Sequence, residues 1–309
     1  MNLALRVAGL AKSYGSLRAV DDVAFDVERG EVFALLGPNG AGKSTTIEVL
    51  EGFLRRDAGT VEVLGVDPGD PRRLPELRTR IGVVLQELAV EPYFTVRQVL
   101  ERNAGIYPRP RSVDEVIDLV GLTEKRDAKI KRLSGGQQRR LDIGLGIVGN
   151  PELLFLDEPT TGLDPAARRT TWDLIRHLAS EGTTVVMSSH YMDEVEALAG
   201  RVAVLSRGRV VALGTTATLG GRDKGEARIR FTLPDGAAVS DLPIPVSRVD
   251  GDTVEVRTAN EVDALHALTT WAQQRGASSL GLRVTRETLE DIYLTLTGSG
   301  VDEPARSES

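Results

Sequence analysis

Residues Gly37-Pro38-Asn39-Gly40-Ala41-Gly42-Lys43-Ser44-Thr45 fit the pattern G-x-x-x-x-G-K-[ST], and they follow directly on the apolar run Val32-Phe33-Ala34-Leu35-Leu36. An unbroken apolar run of that length reads as a buried strand. Beyond the loop, Ile47, Leu50 and Leu54 recur at helical spacing. The loop therefore joins a strand to a helix N-terminus, where unpaired N–H groups and the helix dipole both favour a phosphate. Glycines let the backbone wrap around phosphate oxygens, and the lysine adds charge. In this pattern Lys43 is placed for the β- and γ-phosphates of a nucleotide and the Ser44 hydroxyl for Mg2+. The N–H groups of Asn39 to Thr45 line the cradle.

Further along, Leu153 to Leu156 and Thr183 to Met187 read as short buried strands separated by a helix through Trp172, Ile175 and Leu178, which is parallel βαβ organisation. Ala4 to Gly9, Val23 to Val27 and Val202 to Leu205 are expected to add strands. Between Glu87 and Lys131 the pattern turns helical and is broken by Pro108 and Pro110, which predicts an inserted helical subdomain. The polar, glycine-rich stretch from Thr215 to Gly225 reads as a linker. A second domain then starts near Glu226, with strands at Arg228 to Leu233, Thr253 to Arg257 and Leu280 to Val284. Its helices run through Val262 to Trp271 and from Leu289, where Thr288 and Asp291 form a capping box. The expected division is 1–219, 226–300 and a frayed tail at 301–309.

Asp157 closes a four-residue apolar strand, and a carboxylate there is costly to bury without a cation or a hydrogen-bond partner. Bound Mg2+ would supply that reason, and Glu158 would be free to orient and deprotonate an attacking water. Taken alone, the pair is equally an acidic strand end before a Pro159 turn. Upstream, Leu133-Ser134-Gly135-Gly136-Gln137 places Ser134 as cap of a helix through Gln138, Leu141 and Ile143. With the N–H groups of Gly135 and Gly136, that cap faces an anion. Gly144 and Gly146 inside the helix cost about 1 kcal/mol each, and close helix packing is the expected reason.

The phosphate loop, the Leu-Ser-Gly-Gly-Gln element and the Asp157-Glu158 strand, in that order, resemble the ATP-binding cassette (ABC) ATPases over residues 3 to 215. The resemblance implies an α/β phosphate-loop cassette with a mixed sheet core, an antiparallel β subdomain and a helical subdomain, followed by a small α+β domain. It also implies ATP and Mg2+ as cofactors. Two cassettes would sandwich ATP head to tail, with Ser134, Gly135, Gly136 and Gln137 of one meeting the γ-phosphate held by the other. By the same resemblance Tyr14 stacks on adenine, and Gln86 senses Mg2+ or the attacking water. Asp164 lies in the subunit-contact loop and His190 faces the γ-phosphate. As isolated residues, Tyr14 is more often a half-buried anchor and His190 usually a structural histidine, while Gln86 is alternatively an exposed strand-end amide and Asp164 an ordinary turn aspartate. His177 and His266 match no motif.

The stretch Leu289-Glu290-Asp291-Ile292-Tyr293-Leu294-Thr295-Leu296-Thr297-Gly298 resembles the ending of daunorubicin-resistance and related multidrug-export ATPases. That implies the energising subunit of an exporter acting on a separate membrane permease, through a groove near Gln86 to Phe94 with Tyr93 and Phe94 as contacts. An importer ATPase, or an ABC ATPase of ribosomes or chromosomes, is the alternative. No apolar run approaches the ~18 residues of a membrane span, and the start lacks a secretory signal. With no cysteine, the expectation is a cytoplasmic protein peripheral to the membrane. The net charge of −7, without a block of Lys or Arg, speaks against a nucleic-acid partner.

Overall fold

The computed structural model describes residues 2–84, 91–219, 226–234, 236–276, 280–285 and 288–297, and the chain divides into two compact units, Met1–Thr216 and Ala217–Ser309. In the first unit β1 (Leu3–Tyr14) and β2 (Leu17–Glu28) form an antiparallel hairpin, longer than the alternation of Ala4 to Gly9 and Val23 to Val27 predicts. Register shifts along β1 interrupt the strict period of two, which hides its ends from pattern reading. Next, β3 (Val32–Leu36) is buried at every position and leads into α1 (Lys43–Leu50). The helix stops before Leu54, which instead packs half-buried against the core. β4 (Ala58–Val63) completes a three-stranded antiparallel sheet in the order β2-β1-β4.

After α2 (Leu74–Arg78) and β5 (Ile81–Val84) come two helices, α3 (Val96–Ala104) and α4 (Val113–Leu119). The first opens on a Thr95–Gln98 capping box, and the pair buries Val99, Leu100, Val116 and Ile117. Helix α5 (Gly135–Ile147) explains its two interior glycines, Gly144 and Gly146, in different ways. A side chain at Gly144 would lie against Val116, Val120 and Leu100 of the helical insert, as close helix packing predicts. Gly146, contrary to that expectation, meets the sheet: a Cβ there would come within 2.6 Å of Val84, and one at Gly82 within 2.1 Å of the Gly146 carbonyl. Helix and strand backbones touch at this point, so neither position has room for a side chain.

The remaining elements are β6 (Leu153–Asp157), α6 (Pro165–Ser180), β7 (Thr184–Ser189), α7 (Met192–Leu198), β8 (Arg201–Ser206) and β9 (Arg209–Thr215). They close a six-stranded sheet in the order β5-β6-β7-β3-β8-β9, parallel except for β9. Its core includes Phe33, Leu35, Phe155 and Val186, each fully buried and each contributing about 1.5–3 kcal/mol by that burial. The parallel registers are decisive for function. Leu36 lies level with Ser189 and Asp157 with Ser188, so the carboxyl ends of β3, β7 and β6 finish at one edge. Ligands of open α/β sheets bind at that kind of edge.

The second unit holds β10 (Ala227–Thr232), β11 (Arg248–Asp250), β12 (Thr253–Thr258), α8 (Glu261–Gln274), β13 (Arg283–Thr285) and α9 (Leu289–Thr297). Its antiparallel sheet runs β11-β12-β10-β13. Ile229, Phe231, Val254 and Val256 pack with Leu268 and Trp271 in its core. The last strand starts three residues later than Leu280, because Leu280 tucks into that core while its carbonyl accepts the Thr232 N–H at 2.9 Å. Thr288 and Asp291 form the expected reciprocal cap: each backbone N–H donates to the other's side chain, at 3.0 and 3.1 Å.

Candidate functional site

The phosphate loop leaves β3 at Leu36 and turns back through Gly42, which N-caps α1 with φ at 100°. A Cβ at Gly42 would stand 2.5 Å from the Ala19 carbonyl, so glycine is required twice over, by conformation and by contact. The first N–H groups of α1, from Lys43, Ser44 and Thr45, have no carbonyl one turn earlier to bond. The Ala41 N–H is used inside the loop, donating to Pro38 O at 3.1 Å. Lys43 is 5% exposed; its Nζ donates to Gly37 O at 2.8 Å and Pro38 O at 3.1 Å. Burial pulls its pKa down, against the raising pull of Glu158 and Asp157. An incoming phosphate would favour the charged form of that ammonium.

Asp157 and Glu158 arrive on β6 beside this loop. Asp157 Oδ1 accepts from Ser44 Oγ at 3.3 Å and from the Ser188 hydroxyl. Glu158 takes a left-handed backbone, φ 46°, at a cost of about 1–2 kcal/mol. Its N–H is held by Ser188 Oγ at 3.0 Å. The Glu158 carboxylate lies 3.1 Å from His190 Nδ1 and 3.7 Å from Lys43 Nζ, and it accepts from Thr161 Oγ1 at 3.2 Å. Burial pushes this carboxyl up, but His190, Lys43 and Thr161 outweigh it and leave the pKa below the ordinary value. Glu158 therefore stands ionised at neutral pH, able to orient a water and accept its proton.

Tyr14 lies 47% exposed at the wall of an open cavity of about 680 Å³. Asn39, Gly40, Lys43, Ser44 and Glu158 share that cavity. Ser44 and Asp157 offer one hydroxyl and one carboxylate to a cation, which suits Mg2+, an ion that takes one or two protein oxygens alongside phosphate and water. Among the described residues no group of three or more His, Asp or Glu could hold a metal by itself. Gln86 lies outside the described residues. Nearby, Glu51 is 3% exposed, and burial together with the charges of Asp157 and Glu48 pushes its carboxyl up to about 8.

Ser134 N-caps α5 in a capping box with Gln137: its Oγ accepts the Gln137 N–H at 3.3 Å, and Gln137 Oε1 accepts the Ser134 N–H at 2.9 Å. Ser134 and Gly135 are exposed, and none of Ser134, Gly135, Gly136 and Gln137 lines the cavity around Lys43. Asp164 N-caps α6, its Oδ1 accepting the N–H groups of Ala166 and Ala167 at 2.9 Å. A Cβ at Gly136 would sit 3.1 Å from that of Ala167, so the two capped helix starts adjoin.

Three contributors to this architecture escape a motif reading. Ser188 bridges Asp157 and the Glu158 backbone. Arg139, on α5, donates to the carbonyls of Asp157, Glu158 and Pro159. Glu194 is fully buried and accepts from Thr160, Ser189 and Trp172, joining the segments that carry Glu158 and His190. Ser188 left a signal, a polar residue inside the buried run Thr184 to Ser189, whereas Arg139 and Glu194 sit among polar neighbours, and nothing local names the partner of any of the three.

Residues 20–161 match the ABC transporter family model, and residues 227–288 match the C-terminal domain of ABC transporter domain-containing protein-like chains. The chain is 37% identical over 306 residues to the daunorubicin resistance ATP-binding protein DrrA3 of Streptomyces coeruleorubidus, an alignment spanning 96% of each chain. It is 33% identical over 310 residues to the linearmycin resistance ATP-binding protein LnrL of Bacillus subtilis, spanning 95% of this chain and 98% of that one. The dimeric post-hydrolysis structure of the ATP-binding cassette MJ0796, bound to ADP and Pi, superposes with a TM-score of 0.62 at 25% identity, over 68% of this chain and 98% of that one.

Proposed function

The chain belongs to the ATP-binding proteins of ABC transporters, and we propose that it is the ATP-hydrolysing subunit of an exporter, driving a separate membrane permease that carries a drug, antibiotic or lipid. One observation carries the reading: Lys43, Asp157, Glu158 and His190 converge where β3, β6 and β7 end side by side. The resistance names of the aligned relatives favour export over import and over a ribosomal or chromosomal ATPase. Among the described residues no helix is long and apolar enough to cross a membrane. A peripheral position on the cytoplasmic face is part of the proposal.

In this reading Tyr14 stacks on adenine, the loop Gly37 to Thr45 holds the phosphates, and Lys43 turns its ammonium from its own loop carbonyls to the β- and γ-oxygens. Ser44 and Asp157, with Gln86, would hold Mg2+, which neutralises phosphate charge when bound. Glu158 orients a water for attack on the γ-phosphorus. The new P–O bond forms as the bridging bond to the β-phosphate breaks, and the water's proton passes to the carboxylate. His190 steadies both Glu158 and the γ-phosphate. With its pKa depressed, Glu158 is a modest base, so most of the acceleration comes from positioning and charge stabilisation. A second copy, or a homologous cassette, supplies Ser134, Gly135, Gly136 and Gln137 to the same γ-phosphate, while Asp164 sits in the contact loop. ATP would thus close the dimer and hydrolysis would open it.

Glu158→Gln tests this reading. The variant is expected to bind ATP, hydrolyse it at least 100-fold more slowly and accumulate a dimer on size exclusion with ATP but not with ADP. Normal turnover, or a strictly monomeric ATP-loaded variant in the presence of the copurifying permease, would refute it.

A further inference from the structure

The hairpin tip between β8 and β9 departs from what its geometry prefers. Ser206 and Arg209 pair across a two-residue turn, and both turn residues take positive φ, Arg207 at 49° and Gly208 at 79°. The first position of such a turn favours Asn, Asp or Gly, because a larger L side chain is crowded there. The tip is also clamped. Gly208 N–H donates to Ala41 O at 3.1 Å, and Gly208 O accepts the Asp21 N–H at 2.8 Å. A Cβ at Gly208 would lie 2.8 Å from Ala19 O. Held this way, Arg207 lines the cavity that Tyr14 and the phosphate loop share. Two neighbouring arginines spend their charge on Asp21, Arg18 at 2.6 Å and Arg209 at 2.7 Å. Arg207 is exposed, and no hydrogen bond or ion pair joins it to any described residue.

A crowded backbone, a rigid mount and an uncompensated guanidinium together at the wall of a phosphate site are features that strain at functional positions explains. We infer that Arg207 is a nucleotide-binding residue that grips a phosphate retained in the product. Strand order supports the retained rather than the transferred phosphate: β8 flanks β3 on one side, whereas β7 and β6, which deliver His190 and Glu158, lie on the other. A planar guanidinium suits bidentate contact with phosphate oxygens. The inference rests on the nucleotide-site reading above.

The test uses the full chain and equilibrium binding of ATP, ADP, AMP and adenosine. Arg207→Asn places a residue that the turn accepts more readily, and Arg207→Gly removes the side chain with no backbone penalty. Both are expected to melt at or above the wild-type temperature. Both should weaken ATP and ADP about ten-fold each, the scale of one charge-assisted contact, and leave adenosine unchanged, with AMP weakened equally if the grip is on the α-phosphate and spared if it is on the β-phosphate. Unchanged affinities in the variants would overturn the inference, as would a loss confined to ATP or a loss shared by adenosine. Failure of the wild type itself to bind ATP would instead overturn the nucleotide-site reading.

Discussion

Arg139→Met tests how helix α5 and the end of β6 are joined. Arg139 is 8% exposed, and its guanidinium donates to Asp157 O at 2.8 Å, Pro159 O at 2.8 Å, Glu158 O at 3.2 Å and Asp142 Oδ2 at 3.3 Å. Methionine keeps much of the apolar stem but leaves the carbonyls and a buried carboxylate without their cation. Removing one partner of a buried ion pair costs about 3–5 kcal/mol. At about 2–4 °C per kcal/mol for a unit of this size, the melting temperature should fall by about 6–20 °C.

The pH dependence carries a sharper signature. Burial pushes the Asp142 carboxyl up to about 6, although Arg139 pulls it down. Its folded pKa thus exceeds the unfolded one, so stability falls as pH rises from about 4 to 6 and is flat above, as far as this group is concerned. Without Arg139 the folded pKa climbs further. The variant should keep losing stability above pH 6, by up to about 1.4 kcal/mol per pH unit. Urea unfolding of both proteins between pH 6 and 8 measures the difference, in which the contribution of Glu51 cancels. A destabilisation below about 1 kcal/mol, or a difference independent of pH, would refute the assignment of Arg139 as the cation that supports Asp142.

Ser188→Ala should strand the Glu158 N–H and remove a donor from Asp157, costing about 1–3 kcal/mol and slowing turnover about 10–100-fold through misplacement; an unaltered kcat excludes the bridging role. For Glu51, whose carboxyl is raised to about 8, stability contributed at acid pH is lost as pH rises through that value. Because the loss runs from about pH 4 to 8, the advantage of Glu51→Gln over the wild type should grow by about 2–4 kcal/mol between pH 6 and pH 9, and an advantage that is the same at both pH values would contradict this. Ser134→Arg in the Glu158→Gln background should retain ATP binding yet yield no dimer by light scattering. Undiminished dimer would argue against Ser134 facing a second copy's nucleotide.

How far pattern reading reached depended on how local each feature is. The strand, glycine turn and helix start from Val32 to Leu50 are contiguous, and their phosphate-binding character follows from backbone N–H groups and the glycine at position 42. The caps at Ser134, Asp164 and Thr288 are equally local, each bonding N–H groups within three residues. By contrast β4 and β9, which carry part of the unit's sheets, went unread: every side chain of β9 stays partly or fully exposed, and β4 buries only two positions. Without a buried face in the pattern, a strand is recognised only by the neighbour it pairs with.

Taken by itself, the amino-acid order determined that this chain carries a phosphate-loop turn, an acidic strand end and a helix capped by Ser134, because each is set by residues adjacent along the backbone. Only the tertiary structure decided that Ser188 serves Asp157 and Glu158, that Arg139 on one helix secures the backbone of another segment, and that Gly146 meets a strand rather than a helix. Those partners lie far apart in the chain or on different elements, and the parallel register of β3, β7 and β6 is what brings the strand ends beside the phosphate loop, Asp157 and His190 to one edge. That register is a property of the packed sheet, since it comes from which strands are neighbours and how their buried faces interlock.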